Sequence, residues 1–214
     1  MSTRHFSPLD RVLVNLDQAV RTVFGRLQTT GRPDPGAGIA EAELSEQERK
    51  HIARLMRINH TGEVCAQALY QGQALTARRP EVRRSLERSA QEENDHLQWC
   101  ETRIIELDDR KSFLNPLWYA GSFTLGALAG LAGDKWSLGF VVETERQVES
   151  HLDGHLAEIP MSDRKTRAVL GEMRADETNH AEVAKAAGGA SLPGPIKLAM
   201  RLTSKIMTRS VYWV

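Results

Sequence analysis

Only two cysteines, Cys65 and Cys100, occur in 214 residues. That is too few for a disulfide framework, and reduced core thiols in the cytoplasm are the default. An excess of one charge is also missing: 28 Lys and Arg balance 28 Asp and Glu, so no global field points to nucleic acid. The opening MSTRHFSPLD holds no apolar run of signal-peptide type, which predicts no secretion. No Gly-x-Gly-x-x-Gly follows a strand-like run, so a dinucleotide-binding unit is not expected. Charge-free runs are scarce too, with one exception. The 22 residues from Ser112 to Gly133 carry no charge and are long enough to cross a bilayer.

What the sequence does contain is a repeat. Glu92-Glu93-Asn94-Asp95-His96 and Asp176-Glu177-Thr178-Asn179-His180 each read as an acid followed by Glu-x-x-His. Glu63 stands 30 residues before Glu93, and Glu145 stands 32 before Glu177. In Glu-x-x-His both side chains project to one side of a helix, so one helix can hold a metal with both. Four glutamates carry the charge that two divalent ions cancel; without the ions, buried carboxylates would repel and their pKa values would rise. Mixed carboxylate and imidazole ligands suit iron or manganese better than structural zinc. The acid before each motif glutamate, Glu92 or Asp176, is placed to orient a ligand histidine across the bundle. A third copy, Glu48-Arg49-Lys50-His51, has no mirrored partner and reads as a surface pair. The charge-free segment lies between the two half-sites. A single crossing would put them on opposite faces of the membrane, so the metal pattern argues against a span.

The chain reads as all-α. Pro8 to Phe24 spaces Leu9, Val12, Leu13, Leu16, Val20 and Val23 as an amphipathic helix does. Gly31, Pro33, Pro35, Gly36 and Gly38 make Thr29 to Gly38 a loop. Ser45-Glu46-Gln47-Glu48 fits a capping box for a helix reaching about Ala77. A second helix follows Arg78-Arg79-Pro80-Glu81 to about Leu107, and a third runs from Pro116 to about Leu156. A fourth follows Ile159-Pro160-Met161-Ser162 and ends at Gly188-Gly189. At roughly 1.5 Å of rise per residue, Glu63 and Glu93 each lie roughly 20 Å from their shared turn. Glu145 and Glu177 repeat that height around theirs. The expected organisation is an N-terminal amphipathic helix and linker (1–44), a metal-binding bundle (45–190) and a basic amphipathic helix (191–214).

These residues resemble those of the demethoxyubiquinone hydroxylases, ferritin-like di-iron monooxygenases of ubiquinone biosynthesis. The resemblance covers about residues 45 to 214. It rests on Asn59-His60-Thr61-Gly62-Glu63 with Tyr70-Gln71-Gly72-Gln73, on Glu93-Asn94-Asp95-His96, on Val142-Glu143-Thr144-Glu145 with His151, and on Asp176-Glu177-Thr178-Asn179-His180. It implies a ferritin-like four-helix bundle in which Glu63, Glu93, His96, Glu145, Glu177 and His180 hold two iron ions. It implies that O2 gives one oxygen atom to the ring of a polyprenyl demethoxy-benzoquinol and the other to water. Electrons then come from reduced nicotinamide or another external donor. His151 corresponds to a family histidine near the quinone. Tyr70, seven residues past Glu63, returns to the ligand face, to line the pocket or to pack in the core. His60 supports the ligands or lies on the helix surface. Relatives often carry tyrosine where this chain has Val64.

A polyprenyl substrate requires contact with a bilayer. After Glu182 no acid remains, and Lys197, Arg201, Lys205 and Arg209 recur beside Ile196, Met200, Leu202, Ile206, Met207 and a terminal Val211-Tyr212-Trp213-Val214. Such a helix suits anionic headgroups, or it packs on the bundle as an ordinary helix. Gly126 and Gly130 permit close helix contact, and Trp118, Phe123 and Leu128 are expected to form an apolar mouth for the tail. The expected place is the cytoplasmic face of the cell membrane, peripherally bound, with other ubiquinone-biosynthesis proteins as further partners and no nucleic acid. Two other classes compete. A non-catalytic ferritin-like iron-binding or storage protein needs a cage that the greasy surfaces fit poorly, and an oxygenase of RNA bases is disfavoured by the neutral charge.

Overall fold

A computed structural model describes residues 8–25 and 27–214, so most of the opening segment lies outside the described residues. Helices are the only regular elements among the described residues: α1 (Pro8–Phe24), α2 (Glu46–Thr76), α3 (Pro80–Glu106), α4 (Asn115–Leu131), α5 (Asp134–Glu158), α6 (Arg164–Ala186) and α7 (Gly194–Trp213). Local chemistry sets several of the boundaries. Ser45 Oγ accepts the Glu48 amide at 3.2 Å and Glu48 accepts the Ser45 amide at 2.9 Å, a reciprocal cap on α2 worth about 1 kcal/mol. Pro80 opens α3, where the missing N–H leaves no helical bond unmade. Asp163 caps α6 by accepting the Thr166 amide at 3.0 Å.

Antiparallel hairpins α2/α3 and α5/α6 form the four-helix bundle. Two apolar clusters fill it at different heights. One gathers Ile52, Met56, Trp99, Ile104, Leu152, Leu170 and Met173. The other gathers Tyr70, Ala74, Val82, Leu86, Leu138, Val141 and Ala184. On each of the four helices the candidate ligands fall in sequence between these clusters, which puts all six in one polar layer with apolar packing above and below.

The single helix expected from Pro116 to Leu156 is instead two. Gly133 has a φ of 110°, which a right-handed helix cannot contain, and it separates α4 from α5. Asp134 then opens α5 and accepts the amides of Arg78 and Arg79 at 3.0 and 2.9 Å, pinning the α2–α3 turn. The break lets α4 lie along α2. Contact is close: a Cβ on Gly126 would fall 2.2 Å from the Leu69 carbonyl oxygen, and one on Gly72 would fall 2.2 Å from that of Phe123. No helix is long and apolar enough to cross a membrane among the described residues.

The outer helices bind by one face each. Ala19 and Val23 of α1 pack against Val64, Ala68, Leu97 and Tyr119, while Leu13, Leu16 and Val20 remain exposed. Leu9 and Val12 lie outside the described side chains. α7 lies against α2 and α5, with Val211 buried and Lys197 paired to Glu143 at 3.1 Å. His51, read as a surface residue, is half-buried here. Its ring ties α2 to Tyr212 of α7 at 2.9 Å and to Glu158 of α5 at 3.0 Å.

Candidate metal centre

Helical spacing on four separate elements brings six side chains together. Ligand atoms of Glu63, Glu93, His96 and Glu177 lie within 4.8 Å of one another, and so do those of Glu93, Glu145, Glu177 and His180. Glu93 and Glu177 belong to both groups, whereas Glu63 and Glu145 each belong to one. His96 Nδ1 is 3.0 Å from Glu93 and 3.2 Å from Glu177; His180 Nδ1 is 3.3 Å from Glu93 and 3.2 Å from Glu177. The second nitrogen of each ring turns outward. His96 Nε2 meets Asp176 at 2.9 Å and His180 Nε2 meets Glu92 at 2.7 Å, each pair reaching across from one hairpin to the other.

The electrostatics of this layer fit a cation. Burial, followed by the carboxylates around them, pushes the pKa values of Glu63 and Glu145 well above the usual range. Burial acts on Glu93 in the same direction, but His96 and His180 override it and hold that carboxyl low. Glu93 Oε1, Glu145 Oε2 and Glu177 Oε1 are buried without a hydrogen bond. Orphaned buried carboxylate oxygens are costly unless a positive charge faces them. Oxygen donors with one imidazole in each group are what iron or manganese accepts.

An apolar cavity of about 310 Å³ opens between α2, α4, α5 and α7, and Glu63 forms part of its wall. Leu69, Phe140, Val148, Leu152 and Met200 make it greasy, and His151 and Trp118 also line it. Phe123 does not: it packs beside Tyr119 in the α1-side cluster, and Leu128 is 58% exposed. Tyr70 does not line the cavity either. Its hydroxyl donates to Glu145 Oε1 from within the core. Burial lowers the His151 pKa, so its imidazole is neutral near pH 7. His60 is buried rather than on the surface, with its pKa lowered to about 3 by burial and Lys111. Val64 packs with Ala68, Leu97 and Tyr119 and is not part of the cavity wall.

Sequence reading missed Arg32. This linker residue reaches the bundle, donating to Asp176 at 2.6 Å and to Glu172 at 2.6 Å, and its guanidinium lies 5.0 Å from the Trp99 ring. Nearby, Thr30 donates its amide to Asp95 at 2.8 Å. A loop residue has no periodicity, so nothing local could have placed Arg32 behind a candidate ligand histidine.

Relatives match this chain over nearly its whole length. A protein of Nitrosococcus oceani named 3-demethoxyubiquinol 3-hydroxylase is 56% identical over 214 residues, all of both chains. Those of Nitrosospira multiformis and Pseudomonas putida bear the same name and are each 57% identical, covering 96% and 98% of this chain and 99% and 97% of their own. The family described as ubiquinone biosynthesis protein COQ7 matches residues 50–211, a span that runs from near the start of α2 nearly to the end of α7. By that span and those identities, this all-α chain with its buried glutamate and histidine centre belongs to the COQ7 family of ubiquinone-biosynthesis hydroxylases.

Proposed function

We propose that this enzyme is a di-iron monooxygenase that hydroxylates the ring of a polyprenyl demethoxy-benzoquinol. The carrying observation is the contact between two compartments: Glu63 belongs both to the buried ligand layer and to the wall of the apolar cavity. Glu63 and His96 would hold one iron, Glu145 and His180 the other, with Glu93 and Glu177 shared between them. When bound, the irons supply dioxygen activation, with electrons from reduced nicotinamide or another external donor.

The protein's own groups do the rest. Asp176 and Glu92 hold the outer nitrogens of His96 and His180, which leaves each Nδ1 directed at the carboxylates. Tyr70, its phenol kept protonated by burial and by Glu145, holds one oxygen of that glutamate in place. The apolar wall takes the first part of the isoprenoid tail and excludes water from the ring. Neutral His151 is available there to meet a ring oxygen.

Access from a bilayer is part of this reading. α4 and α7 flank the cavity and expose Leu117, Leu125, Leu202, Ile206 and Trp213 beside the basic Arg201, Lys205 and Arg209. Such surfaces suit peripheral attachment to anionic lipids at the cytoplasmic face. The relatives' name denotes a hydroxylase, so storage of iron is set aside. The decisive experiment substitutes Glu145→Ala and, separately, Glu177→Ala. Iron per chain should fall from two, and cells relying on either variant should accumulate the demethoxy precursor. Full iron content with normal ubiquinone in both would refute the assignment.

A further inference from the structure

We infer that Asn59 and Trp118 recognise the ring of the substrate, a role that rests on the quinol-hydroxylase reading above. An apolar wall can hold an isoprenoid tail but cannot orient a ring, because hydrophobic burial has no direction. Orientation needs polar atoms whose bonding capacity is unspent. Three cavity-lining residues carry a buried polar atom without a partner: Asn59 Oδ1, Trp118 Nε1 and His151 Nε2. The amide nitrogen of Asn59 reaches only the Met56 sulfur, at 3.8 Å. Two other polar groups of the wall are already engaged. Gln147 donates to Glu143 at 2.8 Å, and the Thr208 hydroxyl donates to the Lys205 carbonyl at 3.2 Å.

The placement suits a ring held against the metal centre. Asn59 lies one helical turn before Glu63, on the same face of α2, and is 3% exposed. Trp118 belongs to α4, another wall of the cavity. Asn59 offers an acceptor and Trp118 a donor, so a quinol hydroxyl donates to the first while a ring oxygen accepts from the second. A buried polar group left unpaired is unfavourable, so these atoms bind a ring that pairs them in preference to an isoprenoid that lacks one.

The test uses Asn59→Leu and Trp118→Phe in the metal-loaded protein without oxygen. Binding of a demethoxyubiquinol with a two-isoprene tail is compared with that of the corresponding ring-free isoprenoid alcohol. Each variant should bind the quinol about tenfold more weakly, as expected for loss of one buried hydrogen bond. Affinity for the ring-free alcohol, iron content and melting temperature should be maintained, and the melting temperature of Asn59→Leu should hold or rise. Unchanged quinol affinity in both variants would overturn the inference alone. So would equal weakening of both probes, which marks a merely structural role. A wild-type protein that binds the quinol no better than the alcohol would overturn the inference together with the functional reading beneath it.

Discussion

Burial would raise the pKa of Asp176, but hydrogen bonds from His96 and Arg32 hold it below the ordinary carboxylate range. An anion at this place makes His96 Nε2 the donor and leaves Nδ1 free to ligate. Asp176→Asn should therefore lower metal affinity by about 10–100-fold, and Glu92→Gln should do the same through His180. Competition with a chelator measures both, and unchanged affinity would reject the orienting role. His155 presents the opposite electrostatics. Burial, with His151 and His51 nearby, lowers its pKa from 6.5 to about 3. Below about pH 6.5 the unfolded chain takes up this proton and the folded chain does not, so stability falls as pH drops toward 3. From pH 7 to pH 5 the loss attributable to His155 is about 2 kcal/mol. Denaturant unfolding of His155→Leu beside the parent should show a smaller decline by that amount, and parallel declines would contradict it.

Among the helices, α4 shows how a glycine can matter through its neighbours. Gly126 meets the α2 backbone, so Gly126→Ala should cost about 1–3 kcal/mol through forced separation of α2 and α4. Gly121, on the same helix, is exposed with open space around it, and Gly121→Ala should add about 0.5–1 kcal/mol through helix propensity. Thermal melting of the two variants should move in opposite directions; a shared sign would contradict the packing account. The glycine spacing was visible in the sequence, as was the α2 cap. Gly133 was visible as a residue but not as a helix break, because glycine alone does not reveal a positive φ. The apolar run that ends at Gly133 is followed by further helix-like sequence, which matched one long helix equally well.

At the scale of the whole molecule, α4 and α7 both wall the cavity and carry exposed apolar residues, and α7 adds the basic row. Reversing Arg201, Lys205 and Arg209 to glutamate should weaken binding to phosphatidylserine vesicles at least tenfold, taking about 1 kcal/mol per basic residue. Co-sedimentation checks this, and undiminished binding with iron content intact would exclude α7 as the attachment surface. This substitution is a cleaner test than truncation, since Ile196, Met200 and Met207 also form cavity wall. The height of the candidate ligand layer was legible in the sequence because helical rise is fixed by the backbone, so equal counts from two turns bring Glu63, Glu93, Glu145 and Glu177 to one level. The two Glu-x-x-His repeats marked His96 and His180 as candidate ligands beside them. The tertiary structure alone decided that α4 folds back along α2, that Arg32 stands behind Asp176, and that Asn59 and Trp118 share a cavity with His151. Those contacts join residues far apart in the chain, and they depend on how helix faces pack and where a loop crosses them, for which no local periodicity exists.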